Sequence, residues 1–192
     1  MNYFILNWSR KSKTLGLSTF FASRFLFRPG HSAIGDEEFE EADHAIQLQK
    51  WIESTTNTLE LTEWDSVFVP IHQPNVHWYT AIIDFKNKKI SCHNSMEERT
   101  LNNPLETPRA FAYGSWTYDV YAPTPTQTNT HDCGVHTLWH LKCLIELGGV
   151  PPPDAASGMK TVPPEYQLGG DLVGKRLSMV REILCNLNMI KL

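Results

Sequence analysis

The chain has no C-x-x-C pair, no H-E-x-x-H run, no internal repeat and no long basic run. Its four cysteines, Cys92, Cys133, Cys143 and Cys185, are scattered over 192 residues. That spacing does not read as a disulfide framework and fits free thiols of a reducing, intracellular compartment, nuclear or cytoplasmic. A formal net charge of −4 gives no general attraction to nucleic acid. No apolar run reaches membrane-spanning length, so no membrane partner is expected. The opening MNYFILNW lacks a preceding basic segment and a nearby small-residue cleavage pattern, so it is not read as a signal peptide.

What is present argues for a folded globule. The apolar fraction is 41% and the aromatic fraction 11%. The length suits one domain over residues 1–192, expected as a monomer. In order, the pattern predicts a helix or buried run at NYFILNWS and a buried aromatic segment from Leu17 to Phe27. An acid-capped helix follows from Asp36 to about Glu53, then a polar loop from Thr55 to Thr62. Strands are predicted at Ser66–Ile71, ended by Pro70, then at Trp78–Phe85 and Lys89–His93 joined by a turn at Asn87-Lys88, and at Trp116–Tyr121. A loop and helix fill Met96–Gly114. The five prolines between Val150 and Pro164 mark a surface loop, and Leu172–Leu187 forms a last helix with Val173, Leu177, Val180, Leu184 and Leu187 as its buried stripe. Helices, then strands, then helices make an α+β plan, with a central antiparallel or mixed sheet flanked by helices.

The stretch with the most chemistry is QTNTHDCGVHTLWH, Gln127–His140. Apolar residues recur at helical spacing after Cys133, which puts that thiol at a helix N-terminus. Unpaired backbone N–H groups and the positive dipole end favour an anion there, and a thiolate is one. Gly134 leaves room for a substrate backbone. The side-chain amide of Gln127 is a candidate oxyanion donor. A buried structural cysteine is the plain alternative.

A nucleophilic thiol needs a base brought to it by the fold. His77 precedes the second strand and Asn94 ends the third; in a hairpin turning at Asn87-Lys88 the two are neighbours. Asn94 Oδ1 would accept the imidazole Nδ1–H and leave Nε2 for the thiol. His72 is the reserve base.

NVHWYTAIIDFKNKKISCHNS and TQTNTHDCGV resemble the His and Cys blocks of the Ulp/SENP-type SUMO protease family, and the SVFVPIH and TFF segments are similar to it too. The resemblance implies a papain-like cysteine protease fold, with His77 as base, Cys133 as nucleophile and Gln127 as oxyanion donor. Trp78 would be one wall of a narrow tunnel for the extended Gly-Gly tail of a ubiquitin-like modifier such as SUMO. The implied activity is hydrolysis of the bond after that Gly-Gly, in modifier processing or deSUMOylation, with no cofactor and no metal. Two departures stand out. Asn94 takes a place where the family usually has Asp, and the chain opens without the family's front segment, whose tryptophan closes the tunnel. Both departures also suit a second reading, a catalytically impaired modifier-binding module. A third is a zinc-binding domain, because Cys133, His136 and His140 share a helix face, with Cys143 further along.

Overall fold

The computed structural model describes residues 1–27, 42–73, 77–96, 115–119, 122–151, 163–167 and 172–187. Helix α1 (Asn2–Ser9) leads to a short strand β1 (Thr14–Gly16) and a helical turn α2 (Phe21–Phe25). Helix α3 (Ala42–Leu59) is followed by strands β2 (Ser66–Gln73), β3 (His77–Asp84), β4 (Lys89–His93) and β5 (Thr117–Asp119). Then come helix α4 (Cys133–Leu147), a 3-10 turn (Pro164–Tyr166) and helix α5 (Leu172–Asn186). The strands lie side by side in chain order in one mixed sheet, antiparallel in the middle and parallel at β1–β2 and β4–β5. The α+β class expected from the element pattern is therefore the observed one.

The hairpins set the frame of the site. β2 and β3 pair from Ser66↔Asp84 to Gln73↔His77, which brings His77 to the end of the sheet. The turn into β4 closes when the Asn87 backbone and side-chain amides donate to the Asp84 carboxylate, with Lys88 in the left-handed region at φ 49°. Proline does not end β2. Pro70 lies beyond the short β1 ladder, which reaches only Phe68, so its missing N–H leaves no bond unmade on that side.

Each face of the sheet carries an apolar cluster. Phe4 and Ile5 of α1, Phe68, Ile82, and Leu138, Trp139, Leu141 and Leu144 of α4 form one. Leu15, Leu17, Phe21, Phe25, Leu59, Val67, Val69, Ile71 and Tyr79 form the other. Full burial of each such side chain is worth about 1.5–3 kcal/mol. Gly16 fixes how closely α1 approaches β1: a Cβ there would lie 2.2 Å from Ser9 Oγ and 2.8 Å from Ile5 Cγ2.

Several boundaries differ from the sequence expectation. α3 runs on through the stretch expected as a polar loop, ending at Leu59, which is buried in the core. Thr55 and Thr58 stay helical by returning their hydroxyls to the Trp51 and Ser54 carbonyls. β1 hides in a segment whose basic composition suggests surface. The Asp36 cap, most of the 96–114 segment, residues 120–121 and most of the Pro-rich loop lie outside the described residues.

The last helix forms where expected but presents another side. Val173, Leu177, Val180 and Leu187 are exposed at 68%, 63%, 51% and 59%, while Met179 is buried. Polar ties set this rotation. Arg176 donates to Asp132, Glu182 accepts the Trp8 indole N–H at 3.0 Å, and the Asn186 side-chain amide donates to Tyr3 Oη at 2.6 Å. Those residues share the side of α5 that carries Met179, so the apolar stripe is turned to solvent.

Candidate active site

Cys133 is the first residue of α4 and is 8% exposed. The Asp132 carbonyl accepts the Val135 and His136 N–H groups, which leaves the N–H groups of the first helical residues without an intrahelical partner. α4 packs along β3, and His140 Nδ1 lies 3.4 Å from Thr80 Oγ1. Cys133 lies seven residues before His140 on α4, and His77 three residues before Thr80 on β3.

His77 and Asn94 are joined, as the hairpin register predicts, but through the other nitrogen. The contact is His77 Nε2 to Asn94 Oδ1 at 2.6 Å. Asn94 Oδ1 also accepts the Met96 backbone N–H at 2.9 Å, which identifies it as the acceptor end of the amide. Nε2 is thus the protonated nitrogen, and Nδ1 carries the lone pair. Nδ1 is buried and without a hydrogen-bond partner among the described residues. The expectation that Asn94 would hold Nδ1 is corrected: Nδ1 is the nitrogen left for chemistry. Burial pulls His77 below the ordinary imidazole range, and the bond to Asn94 partly opposes this.

Gln127 is tied to the neighbour of Asn94. Ser95 Oγ donates to Gln127 Oε1 at 2.7 Å, and the Gln127 backbone N–H donates to the Ser95 carbonyl at 2.7 Å. One hydrogen of the Gln127 amide goes to the Asn129 carbonyl, leaving its second hydrogen to be aimed elsewhere. Asn129 in turn holds the loop, accepting from the His131 and Asp132 N–H groups at 3.0 Å and donating to the Asp132 carboxylate. Asp132 is 4% exposed and takes Arg176 of α5 as its ion partner. So the dipeptide Asn94-Ser95 orients both the imidazole and the amide, and α5 braces the residue next to the thiol. Ser95, Asn129, Asp132 and Arg176 were missed as site residues. The N-x-x-D spacing at Asn129–Asp132 was the available signal, since an Asx side chain readily caps the backbone two and three residues on.

The other expected residues fall as follows. Trp78 is half-buried and stacks on His72 across the strand pair, ring centroids 4.1 Å apart. His72 is exposed and engaged with that indole, so it is not the base facing Asn94. At Gly134 a Cβ would meet only Met1 Cε, at 3.5 Å, an ordinary van der Waals contact among the described residues. His93 is committed, with its ring nitrogens 3.0 Å from Ser91 Oγ and Thr124 Oγ1. Burial pushes its pKa down to about 4, against the pull of Asp119. Burial likewise raises the Cys92 and Cys143 thiols to about 12, aided by Asp119 and Glu146 respectively. Among the described residues no group of three His, Cys, Asp or Glu side chains is placed to hold a metal ion, which leaves the zinc reading of Cys133, His136 and His140 without support. A cavity of about 710 Å³ lies away from this site, between α1, α2 and α3, lined by Arg24, Trp51 and Thr55 among others.

A thiol at a helix start, an imidazole held by an amide, and a second amide beside them suit acyl transfer. The family model described as "Ulp1 protease family, C-terminal catalytic domain" matches residues 7–151. The chain belongs to the Ulp1 protease family. A Caenorhabditis elegans protein named sentrin-specific protease is 29% identical over 100 residues, covering 46% of this chain and 14% of its own length. Among solved structures, the SUMO protease Ulp1 is 17% identical with a TM-score of 0.49, covering 73% of this chain and 62% of its own. The Chaetomium thermophilum Ulp1-like SUMO protease catalytic domain is 23% identical with a TM-score of 0.44, over 74% of this chain and 57% of its own. This Ulp1-family chain therefore spans less than two thirds of those relatives. Among its described residues no helix is long and apolar enough to cross a membrane.

Proposed function

We infer that this chain is a cysteine-type peptidase or isopeptidase that cuts after the C-terminal Gly-Gly of a ubiquitin-like modifier of the SUMO class. The observation that carries this is the His77–Asn94 bond, which leaves Nδ1 buried and without a hydrogen-bond partner among the described residues, in a chain of the Ulp1 family. Cys133 is the nucleophile and His77 Nδ1 takes its proton. The thiolate attacks the scissile carbonyl, and the oxyanion is met by the Cys133 N–H and the remaining hydrogen of the Gln127 amide. One such donor is worth roughly 3 kcal/mol. His77 then protonates the leaving amine, and water releases the thioester. Asn94 does here what an Asp does elsewhere in the family, because its main task is to hold the ring. Trp78 is proposed as a wall for the glycine tail, which no side-chain-bearing residue would fit so closely.

The modifier-binding module without catalysis is the second reading, favoured by Asn94 in place of a carboxylate. A panel of modifier-linked fluorogenic substrates separates the two. Turnover that vanishes in Cys133→Ser while modifier binding persists supports the enzyme. Binding with no turnover in the unsubstituted protein supports the module.

A further inference from the structure

On the sheet face that α4 covers, the β2–β3 ladder leaves the core in one step. Phe68 pairs with Ile82, at 0% and 4% exposure, and both belong to the cluster on that side. The next pair on that face is Pro70 with Thr80, both fully buried. The third is His72 with Trp78, where the imidazole is exposed and the indole half-buried. Residues two apart on a strand share a face, so the three pairs form one column. The outermost rings are not splayed. They are stacked, with centroids 4.1 Å apart and planes 22° from parallel. The following rung, Gln73 with His77, carries the candidate base. An indole half in solvent is held less firmly by core packing than a buried one, and here a ring from the opposite strand covers one of its faces.

We propose that His72 is a positioning residue for substrate selection: stacked on Trp78, it sets the plane of the indole and with it the width of the passage for the glycine tail. A flat ring acts as a wall only while its plane is held. With the imidazole on one face, the indole offers its other face and its edge to a substrate. An indole free to turn about its two side-chain torsions would open the passage in some rotamers and block it in others. Holding the ring beforehand favours binding of an extended tail and rejection of side chains within it, and leaves the thiol–imidazole chemistry alone. His77 is fixed separately, by Asn94 just after β4. The two histidines of this hairpin thus divide the work. His77 serves the thiol, and His72 serves the ring beside His77. Plain cross-strand packing is the alternative, and it would add to sheet stability without telling one tail from another.

This inference rests on the proposed recognition of a Gly-Gly tail, and two measurements keep its failure separate from that one. The first needs no modifier. In the Cys133→Ser protein, NMR follows the Trp78 indole N–H, assigned by its loss in Trp78→Phe. His72→Ala is expected to broaden or split that signal, and His72→Phe, which keeps a ring to stack, is expected to leave it single. A signal as single and sharp in His72→Ala as in the parent overturns the proposal. The second measures, by calorimetry on the same Cys133→Ser background, binding of a SUMO-class modifier ending in Gly-Gly and of the same modifier without those two glycines. The ratio of the two Kd values reports the tail alone. His72→Ala is expected to shrink that ratio by about threefold or more, and His72→Phe to restore it. In cleavage by the Cys133 protein, His72→Ala should raise KM more than it lowers kcat and weaken the preference for Gly-Gly over Ala-Gly tails. An unchanged ratio, with only the melting temperature lowered, makes His72 a packing residue. A protein that binds no modifier sinks the proposed function, while the indole signal still decides whether His72 holds Trp78.

Discussion

The two faces of the sheet are built from different materials. On the α2–α3 face the buried residues are nearly all hydrocarbon, with Leu15, Phe25, Phe68's neighbours Val67 and Val69, and Ile71 filling the space. On the α4 face, Leu138, Trp139 and Leu141 alternate with Thr137, His136 and His140 over Thr80, Ser91 and His93. The first arrangement gains stability from burial alone. The second gives some of it up, because His136, Thr137 and His140 keep polar atoms without partners among the described residues. Among the described residues, four such atoms lie on the helix that carries the candidate nucleophile, and Ser18 Oγ is another beside α2 and α3.

The contrast is broken most severely at the thiol. Cys133→Ser is expected to lower modifier cleavage by about 10⁴-fold or more while circular dichroism and melting temperature stay close to those of the parent. Next is the hydrocarbon face. Phe25, 2% exposed, truncated to Ala, should cost about 3–5 kcal/mol in urea unfolding, with kcat per folded molecule unchanged. Third is acid. The unfolded chain protonates its histidines near 6.5, whereas folded His93 does so at about 4 and His136 and His140 lie below their ordinary value. Between those pH values the unfolded state binds more protons. Stability is therefore full above about 6.5 and lost as pH falls toward 4, by about 3 kcal/mol from His93 alone. Urea midpoints across this window check the sign, and His93→Phe should flatten the slope. The smallest effect sharpens the site itself: Asn94→Ala should lower kcat about 10–100-fold with little change in melting temperature, since it frees the ring of His77 without opening the core.

How much of this could be read beforehand follows from the range of the interactions. The β2–β3–β4 hairpins and the meeting of His77 with Asn94 follow from alternation and a turn, both local, and the thiol's place at a helix start follows from one apolar period. The nitrogen that Asn94 holds does not, because it depends on ring rotation settled by Met96 N–H and the burial of His77. The rotation of α5 was misjudged for a related reason. Its strongest apolar stripe is real, yet Arg176 to Asp132 and Trp8 to Glu182 decide which side faces inward. Those are tertiary pairs separated by many residues, and no period announces them. β1 was missed because three residues carry too little pattern, and its pairing with Ser66–Phe68 is what makes it a strand.

The most direct test of the central claim is labelling by a SUMO-class modifier that carries a C-terminal electrophile, followed by peptide mapping. Cys92 and Cys143 are held as neutral thiols, with pKa values near 12. The account predicts a single adduct at Cys133, lost when His77 is replaced by Ala. An adduct at Cys185, or labelling of Cys133 that is indifferent to His77, would contradict it.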